Sequence, residues 1–316
     1  MSPPSTAWRE RIDSDEEARF ARQGERLAAV HVAKSARYGP GRLLHRKPVL
    51  GAQATFEVLA DLPTEARHGI FRTPGRYPAV ARLSNGSFDV QANAKGDIRG
   101  FAVKVQGVAG PSSLGGVTDH QDFLFINHEL FASRTSDEFV ELVATAANGQ
   151  GALLVRLFRT YGLRAALSRL KMMAATLGKP FSGFATETFN TVLPIAVGPY
   201  AARVQLSPVK PAPPTRKDFE ADMRDRLAAG PIVYDVALQF FVDEATTPIE
   251  NPTVIWPESQ SPFVKVARLT LIGAADDIEG AVFDPWGGLA DHRPLGEIMR
   301  ARKAAYYLSQ KRRGAA

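Results

Sequence analysis

The chain of 316 residues contains no cysteine. This absence excludes disulfide bonds and every metal or haem site that uses a thiolate ligand. No apolar run approaches the length of about 20 residues that a membrane-spanning helix needs, and the first ten residues lack the apolar stretch of a signal peptide. We therefore expect a cytoplasmic protein that has no membrane partner.

The motifs of several common enzyme classes are also missing. None of the six histidines stands in the HExxH spacing of a zinc metalloprotease. The chain has no GxSxG segment, which would indicate a serine hydrolase, and no phosphate-binding P-loop. A glycine-rich dinucleotide fingerprint is absent as well, so these chemistries are not expected.

The composition is that of a globular protein with a mild excess of positive charge. Hydrophobic residues make up 45% of the chain, which is enough for a substantial core, and the formal net charge is +6. Much of the excess lies in the final basic run, so the charge gives little reason to expect nucleic-acid binding. A mildly basic chain also suits a ligand that carries carboxylates.

Hydrophobic patterning predicts about eight strands and five helices. The strands do not alternate strictly with the helices, which disfavours a doubly wound parallel sheet. We predict an α+β fold in which an antiparallel eight-stranded β-barrel carries attached helices. The predicted strands cover 53–59, 77–84, 98–106, 122–127, 186–194, 202–206, 233–243 and 263–272. The predicted helices cover 13–33, 135–148, 151–177, 217–228 and 295–312.

The last predicted helix places four polar residues on one face. Arg302, Tyr306, Ser309 and Arg313 are separated by three or four residues, and side chains at these spacings lie on the same side of a helix. A cation one turn away favours the phenolate form of a tyrosine, and a phenolate is a known proximal ligand of haem iron. The second arginine could pair with a carboxylate such as a haem propionate. The ordinary interpretation is a basic helix with a core tyrosine and solvated arginines.

Two earlier segments carry polar residues beside predicted strands. His45 lies three residues after Arg42, just before the first strand. Arg82 and Ser84 are two residues apart on the second strand, so both side chains point to the same face. Each residue alone has an ordinary interpretation, because a single histidine or a strand arginine is most often a surface residue or a satisfied polar residue.

Taken in order, these segments resemble the core of the haem catalases. That family has the pattern Arg-x-x-His-x-Lys, followed by a strand ending in Phe-Glu-Val, which Arg42, His45, Lys47 and 56–58 match. Residues 97–105 match its Asp-x-Arg-Gly-Phe-Ala-Val-Lys-Phe almost throughout.

Later segments extend the resemblance. The family's Val-Arg-Phe-Ser is similar to 81–84, and its Phe-Phe-Ile is similar to 124–126. Segments 249–256 and 283–296 resemble the minimal catalase-related peroxidases, which keep only the barrel core. The resemblance implies one catalase-like haem domain over 1–316. Within it, 1–38 would form an N-terminal arm and helix, and 40–313 would form the core.

The resemblance also implies a cofactor and a role for each matched residue. The cofactor would be haem b, because covalent CxxCH attachment needs cysteine. Tyr306 is preferred to Tyr307 as the iron ligand, because the residue four positions before Tyr307 is Lys303 and not an arginine. By matched position, His45 would be the distal acid–base residue, oriented by Ser84. Tyr306 would be the proximal ligand, held ionised by Arg302. The partners of the propionates would be Arg42, Arg82 and Arg313, and the distal wall residues would be Phe125 and Phe131.

Two positions depart from family patterns. Catalases place an asparagine ahead of Phe-Phe-Ile, and the matching position here is His120, followed by Gln121. We expect His120 or Gln121 to replace that asparagine and catalase activity to be weak. In the allene oxide synthase branch a threonine precedes the distal histidine. Leu44 stands there in this chain and disfavours that branch.

The resemblance implies a haem-dependent hydroperoxidase that acts on hydrogen peroxide or an organic hydroperoxide with a small organic donor. The first alternative is a haem enzyme that rearranges or oxygenates an organic hydroperoxide, and the second is a non-enzymatic haem-binding barrel. The expected assembly is a homodimer or a larger homo-oligomer.

Overall fold

An antiparallel β-barrel forms the centre of the fold in the computed structural model, which describes residues 2–215, 218–278 and 280–312. Its strands are β1 (Pro48–Val58), β2 (Gly75–Asn85), β3 (Arg99–Pro111), β4 (Val117–Ile126), β5 (Phe189–Asn190), β6 (Ile195–Val197), β7 (Tyr200–Pro208), β8 (Ile232–Phe240) and β9 (Phe263–Ala274).

The barrel closes through the very short strand β5. Neighbouring strands pair in the order β5-β4-β3-β2-β1-β9-β8-β7, and β5 also pairs with β7, which completes a ring of eight. Strands β5 and β6 pair with the same edge of β7: β5 pairs at Gln205 and Leu206, and β6 pairs at residues 200–202. Closure leaves no free edge along the ring, and free edges are the part of a sheet most prone to association.

Alternation along the strands separates the barrel core from an outer face. On β3, Phe101, Val103 and Val105 are buried in the barrel core, so Ala102 and Lys104 point outward. Neighbouring strands place further apolar residues inside. The ring of Phe101, for example, packs edge-on against the rings of Phe189 and Tyr234. The large buried apolar area supplies the main stabilisation of the barrel.

Within the described residues, five α-helices are attached to the barrel. The C-terminal helix α5 packs against α1 and α2. A glycine with a positive φ of 71°, Gly162, interrupts α3. The helices are α1 (Glu16–Tyr38), α2 (Ser136–Ala147), α3 (Gln150–Gly178), α4 (Phe219–Ala229) and α5 (Glu297–Arg312).

The predicted fold class is confirmed, with differences at element ends. A strand was predicted over 186–194, but only Phe189–Asn190 forms one, which is β5. The chain turns soon afterwards at Val192, whose φ is +64°. Helix α4 begins at Phe219 behind the capping side chain of Asp218, and the predicted start at Lys217 lies outside the described residues. Helix α5 begins two residues later than predicted, after Gly296, whose φ is +92°.

Candidate functional site

His45 sits in a tight segment between α1 and β1. Its backbone has a φ of +51°, a conformation that is strained for a residue with a side chain. Two contacts hold the segment: the His45 N–H donates to the Gly86 carbonyl at 3.0 Å, and the buried Arg46 guanidinium donates to the carbonyls of Arg42 and Gly39. The surrounding structure therefore fixes the direction of the His45 side chain.

The His45 ring lies on the outer face of the barrel against a glycine. Its Nδ1 is 3.1 Å from the Ser84 hydroxyl oxygen, and Ser84 pairs with Gly100 across β2 and β3. A Cβ atom added at Gly100 would overlap the His45 ring and would come within 2.8 Å of the Ser84 oxygen. The absence of a side chain at position 100 is thus what makes room for the imidazole.

The surroundings keep this imidazole neutral. Burial is the main cause, and the positive charges of Arg82, Arg302 and Arg42 add to it, so that the pKa of His45 falls to about 3. Both effects disfavour the charged form. At neutral pH the ring therefore carries a proton on one nitrogen only, and the other nitrogen keeps a free lone pair.

Tyr306 and Arg302 form a pair on α5. The Arg302 Nη2 atom donates to the Tyr306 hydroxyl oxygen at 2.8 Å, and the guanidinium carbon lies 5.2 Å from the centre of the tyrosine ring. Tyr306 is half-buried, whereas Tyr307 is 57% exposed. The structure thus places Tyr306, and not its neighbour, on the inward side of α5 with an arginine bonded to its oxygen.

Apolar packing brings α5 next to the His45 segment. Ala305, the residue before Tyr306, joins one cluster with Leu43 and Leu44, the two residues before His45. Arg302 is also close enough to His45 for its charge to lower the pKa of the imidazole. The half-buried His45 and the arginine–tyrosine pair therefore belong to one region of the molecule.

The predicted propionate partners lie around this region. Arg82 is buried, and its Nη2 atom is 3.5 Å from the carbonyl of Arg46. Arg42 is half-buried and donates to the Ala281 carbonyl at 2.7 Å. Arg313 lies outside the described residues.

His120 does not join the cluster. It lies on the same face of β4 as Ile126, which pairs with Gly100. Six residues separate positions 120 and 126, a distance of about 20 Å along an extended strand. The His120 Nδ1 atom is 2.8 Å from an Asp119 carboxylate oxygen. The structure therefore does not bring the predicted site residue His120 next to the His45 ring.

The segment from Asp284 to Leu289 contacts strand β4 between His120 and Ile126. Asp122, buried beneath it, accepts a hydrogen bond from the Asp284 N–H at 2.9 Å and pairs with Lys104 at 2.7 Å. The Gln121 side chain accepts from the Leu289 N–H at 2.9 Å. Gln121 therefore holds this segment in place and does not stand in for a distal asparagine.

The two predicted wall residues lie in different places. Phe125 pairs with Phe101 and belongs to the barrel core, so its ring lies on the inner face. Its neighbours Leu124 and Ile126 are the β4 residues on the His45 face, because side chains alternate along a strand. Phe131 packs in one cluster with Ile298 and other residues against the first turn of α5.

Two residues that matter for the geometry were not singled out from the sequence. Gly100 could have been noticed, because a glycine inside a strand often marks a close approach of another group. Arg46 gave no such signal, since only the folded loop shows that its guanidinium binds carbonyls of its own segment.

Comparisons with known proteins agree with this fold. No protein-family model matches the sequence, and no curated protein matches it either. The chain is similar to a solved structure of a fungal catalase, with a TM-score of 0.69 and 18% identity over 90% of this chain and 61% of that chain. It is equally similar to catalase A from Saccharomyces cerevisiae, with a TM-score of 0.69 and 18% identity over 89% of this chain and 63% of that one. The chain thus has a catalase-type fold and spans about three fifths of the length of these catalases.

Proposed function

We propose that the chain is a haem-dependent hydroperoxidase that reduces hydrogen peroxide or an organic hydroperoxide with an organic donor. The observation that carries the proposal is the presence of two polar pairs in one region. A half-buried neutral imidazole, His45, is held by Ser84, and a tyrosine oxygen, Tyr306, accepts a hydrogen bond from Arg302. The catalase-type fold supports the same assignment.

The donor set of this region fits haem b. A phenolate oxygen of Tyr306 suits ferric iron, and the bonded Arg302 guanidinium stabilises negative charge on that oxygen. Arg42 and Arg82 supply cations for two propionates, and Gly100 makes room for the His45 ring. When bound, the haem would supply an iron centre that coordinates the peroxide and exchanges electrons.

His45 moves protons in this proposal. A proton on Nδ1, donated to the Ser84 oxygen, leaves the Nε2 lone pair free to face the substrate. Nε2 would take a proton from one peroxide oxygen and deliver it to the other oxygen, which departs, and this is general acid–base work. The low pKa of His45, about 3, keeps the ring neutral at the start of each cycle.

The overall reaction balances with a two-electron donor. The O–O bond breaks, and hydrogen peroxide with two electrons and two protons from the donor gives two water molecules. An organic hydroperoxide gives an alcohol and one water molecule. The donor leaves with its two electrons and two protons removed. We propose weak disproportionation beside this reaction, because His120 and Gln121, at the positions matched to the catalase asparagine, are engaged elsewhere.

The proposal is tested by peroxide consumption with a phenolic donor, measured for the haem-loaded protein and two histidine variants. His45→Gln is expected to lose about 10²- to 10⁴-fold in rate, the usual contribution of a positioned acid–base group. His120→Gln is the matched control and is expected to keep most of the rate, because His120 lies outside the cluster. Both variants should bind haem like the parent chain.

Three results would overturn the assignment. If haem binds but no peroxide is consumed by the parent chain, the chain is a haem-binding barrel. An organic hydroperoxide that is converted without donor oxidation would point to rearrangement. A His45→Gln variant with an unchanged rate would remove His45 from the reaction.

A further inference from the structure

Helix α3 lies in the longest part of the chain without acidic residues. From Glu141 to Glu187 the sequence has no aspartate or glutamate, but it has six lysines and arginines. Five of these cations are on α3 itself. Such a one-sided charge is unusual for a solvated helix, on which the two signs normally mix.

The same helix exposes large apolar side chains. Leu154 and Val155 are 42% and 58% exposed in its first half, and Leu163 and Leu167 are 65% and 51% exposed in its second half. Single exposed apolar residues are ordinary on a protein surface. Four of them, two on each side of the break at Gly162 and interspersed with cations, need an explanation.

Leucines and cations form adjoining rows in the second half of α3. Leu163 and Leu167 are four residues apart and share a side of the helix. Arg164 and Lys171 lie next to that side, and both are exposed. Ala166 is buried and marks the side that faces the protein. An apolar row bordered by cations is the pattern of a helix that lies in a membrane interface.

We propose that α3 docks the protein on an anionic lipid surface, with Leu163 and Leu167 entering the headgroup region and the neighbouring cations binding lipid phosphates. Each lysine or arginine near an anionic membrane contributes about 1 kcal/mol, which is about fivefold in affinity. The leucines add the free energy gained when apolar surface is removed from water, which the attraction between charges does not supply. The contact is peripheral, because no helix in the described ranges is long and apolar enough to cross a membrane.

Charge and geometry favour lipid over other occupants of this face. A second copy of the chain would set one row of cations against another about a twofold axis, which is repulsive. A partner that wraps around the first half of α3 has no access, because residues of α2 and of this half line a shared groove and Leu157 is buried. A flat anionic surface needs only the side that α3 leaves open.

This inference does not depend on the proposed haem chemistry. It departs from the expectation of no membrane partner, which rested on the lack of a spanning segment and a signal peptide. A peripheral helix needs neither.

The test is sedimentation of the full chain with vesicles. Equal parts of phosphatidylcholine and phosphatidylglycerol should pull down the protein, and vesicles of phosphatidylcholine alone should retain much less. High salt should weaken the binding. The double variant Leu163→Asp/Leu167→Asp should bind at least tenfold more weakly, and Arg164→Ala/Lys171→Ala about 25-fold more weakly.

A matched control uses exposed apolar residues away from α3. Val117→Asp/Ile272→Asp should leave vesicle binding unchanged, since Val117 is 87% and Ile272 is 54% exposed on other elements. Binding that is lost equally in this control, or is unaffected in the Leu163/Leu167 variant, would overturn the proposal. So would a parent chain that stays in the supernatant. A dimer that dissociates only in the Leu163/Leu167 variant would assign the face to a second copy instead.

Discussion

A position without a side chain determines where the candidate acid–base residue lies. The His45 ring occupies the space that a Cβ at Gly100 would need. Gly100→Ala should therefore displace the ring and lower the peroxide-dependent rate about 100-fold, with overpacking costing about 1–3 kcal/mol of stability. Gly273→Ala is the control, because no atom lies within 4 Å of its Cβ position. Equal rates for Gly100→Ala and the parent chain would show that the ring does not rest there.

The buried ring of His292 predicts how stability responds to acid. Burial is the main cause that lowers the pKa of His292 to about 4 in the folded chain, from about 6.5. The folded state then binds fewer protons than the unfolded state, so the stability contributed by neutral His292 is present above pH 6.5 and is lost as the pH falls towards 4. Relative to His292→Asn, the parent chain should lose on the order of 3 kcal/mol across this window.

Urea unfolding at a series of pH values measures this effect. Comparing the two proteins cancels groups that titrate in both, such as Asp122, whose pKa burial raises to about 6. Parallel stability curves for the parent chain and His292→Asn would contradict the assignment of a neutral buried ring.

At the scale of residues, the sequence indicates which residue types belong to the candidate site, but it says less about the directions in which their side chains point. Matched spacing brought His45, Ser84, Arg302 and Tyr306 to attention, and the structure brings them together. Phe125 was assigned to the wrong side, because one residue of register moves a strand side chain from the outer face to the core.

At the scale of elements, carboxylates fasten helix α5 at its first turn. The N–H groups of Gly296 and Glu297 donate to Glu10 and Glu250 at 2.9 and 2.6 Å. Negative charge at a helix N-terminus is favourable. Arg300, on the same turn, binds both of these carboxylates and also Glu16. Arg300 therefore helps to join α5 to Glu10 and Glu16 near the start of the described residues.

Replacing this arginine should loosen α5. Arg300→Met removes the cation that pairs with Glu16 and Glu250, while Glu10 keeps Arg293. The loss of these little-exposed pairs should cost about 3 kcal/mol of stability. The control is Arg224→Met, because Arg224 is 44% exposed where it pairs with Glu220 and Asp276, and surface pairs contribute less than about 1 kcal/mol. Thermal unfolding of the two variants measures the difference, and similar losses would show that the cluster around Arg300 does not hold the helix.

The helix itself was predictable from the sequence, but its attachment was not. Good helix formers and a preceding proline indicated an element close to the observed Glu297–Arg312. The contacts of Arg300 with Glu10 join residues 290 positions apart, and a separation of that kind leaves no local pattern.

At the scale of the molecule, the barrel brings distant segments to one face. Residues near positions 45, 84, 100 and 126 meet because β2, β3 and β4 pair in register and the His45 segment folds over them. Alternating apolar residues predicted the strands and the number in the barrel. The closing pair was hidden, because β5 has only two residues and its pairing with β7 depends on the whole ring.

The most direct test of the account is haem binding by the whole chain. The purified protein is titrated with ferric haem, and absorption spectra are recorded for the parent chain, Tyr306→Phe and Tyr307→Phe. We predict stoichiometric binding with the high-spin spectrum of a tyrosinate ligand in the parent chain and in Tyr307→Phe, an altered spectrum in Tyr306→Phe, and a raised unfolding temperature on binding. A chain that binds no haem, or a Tyr306→Phe spectrum identical to that of the parent chain, would contradict the central claim.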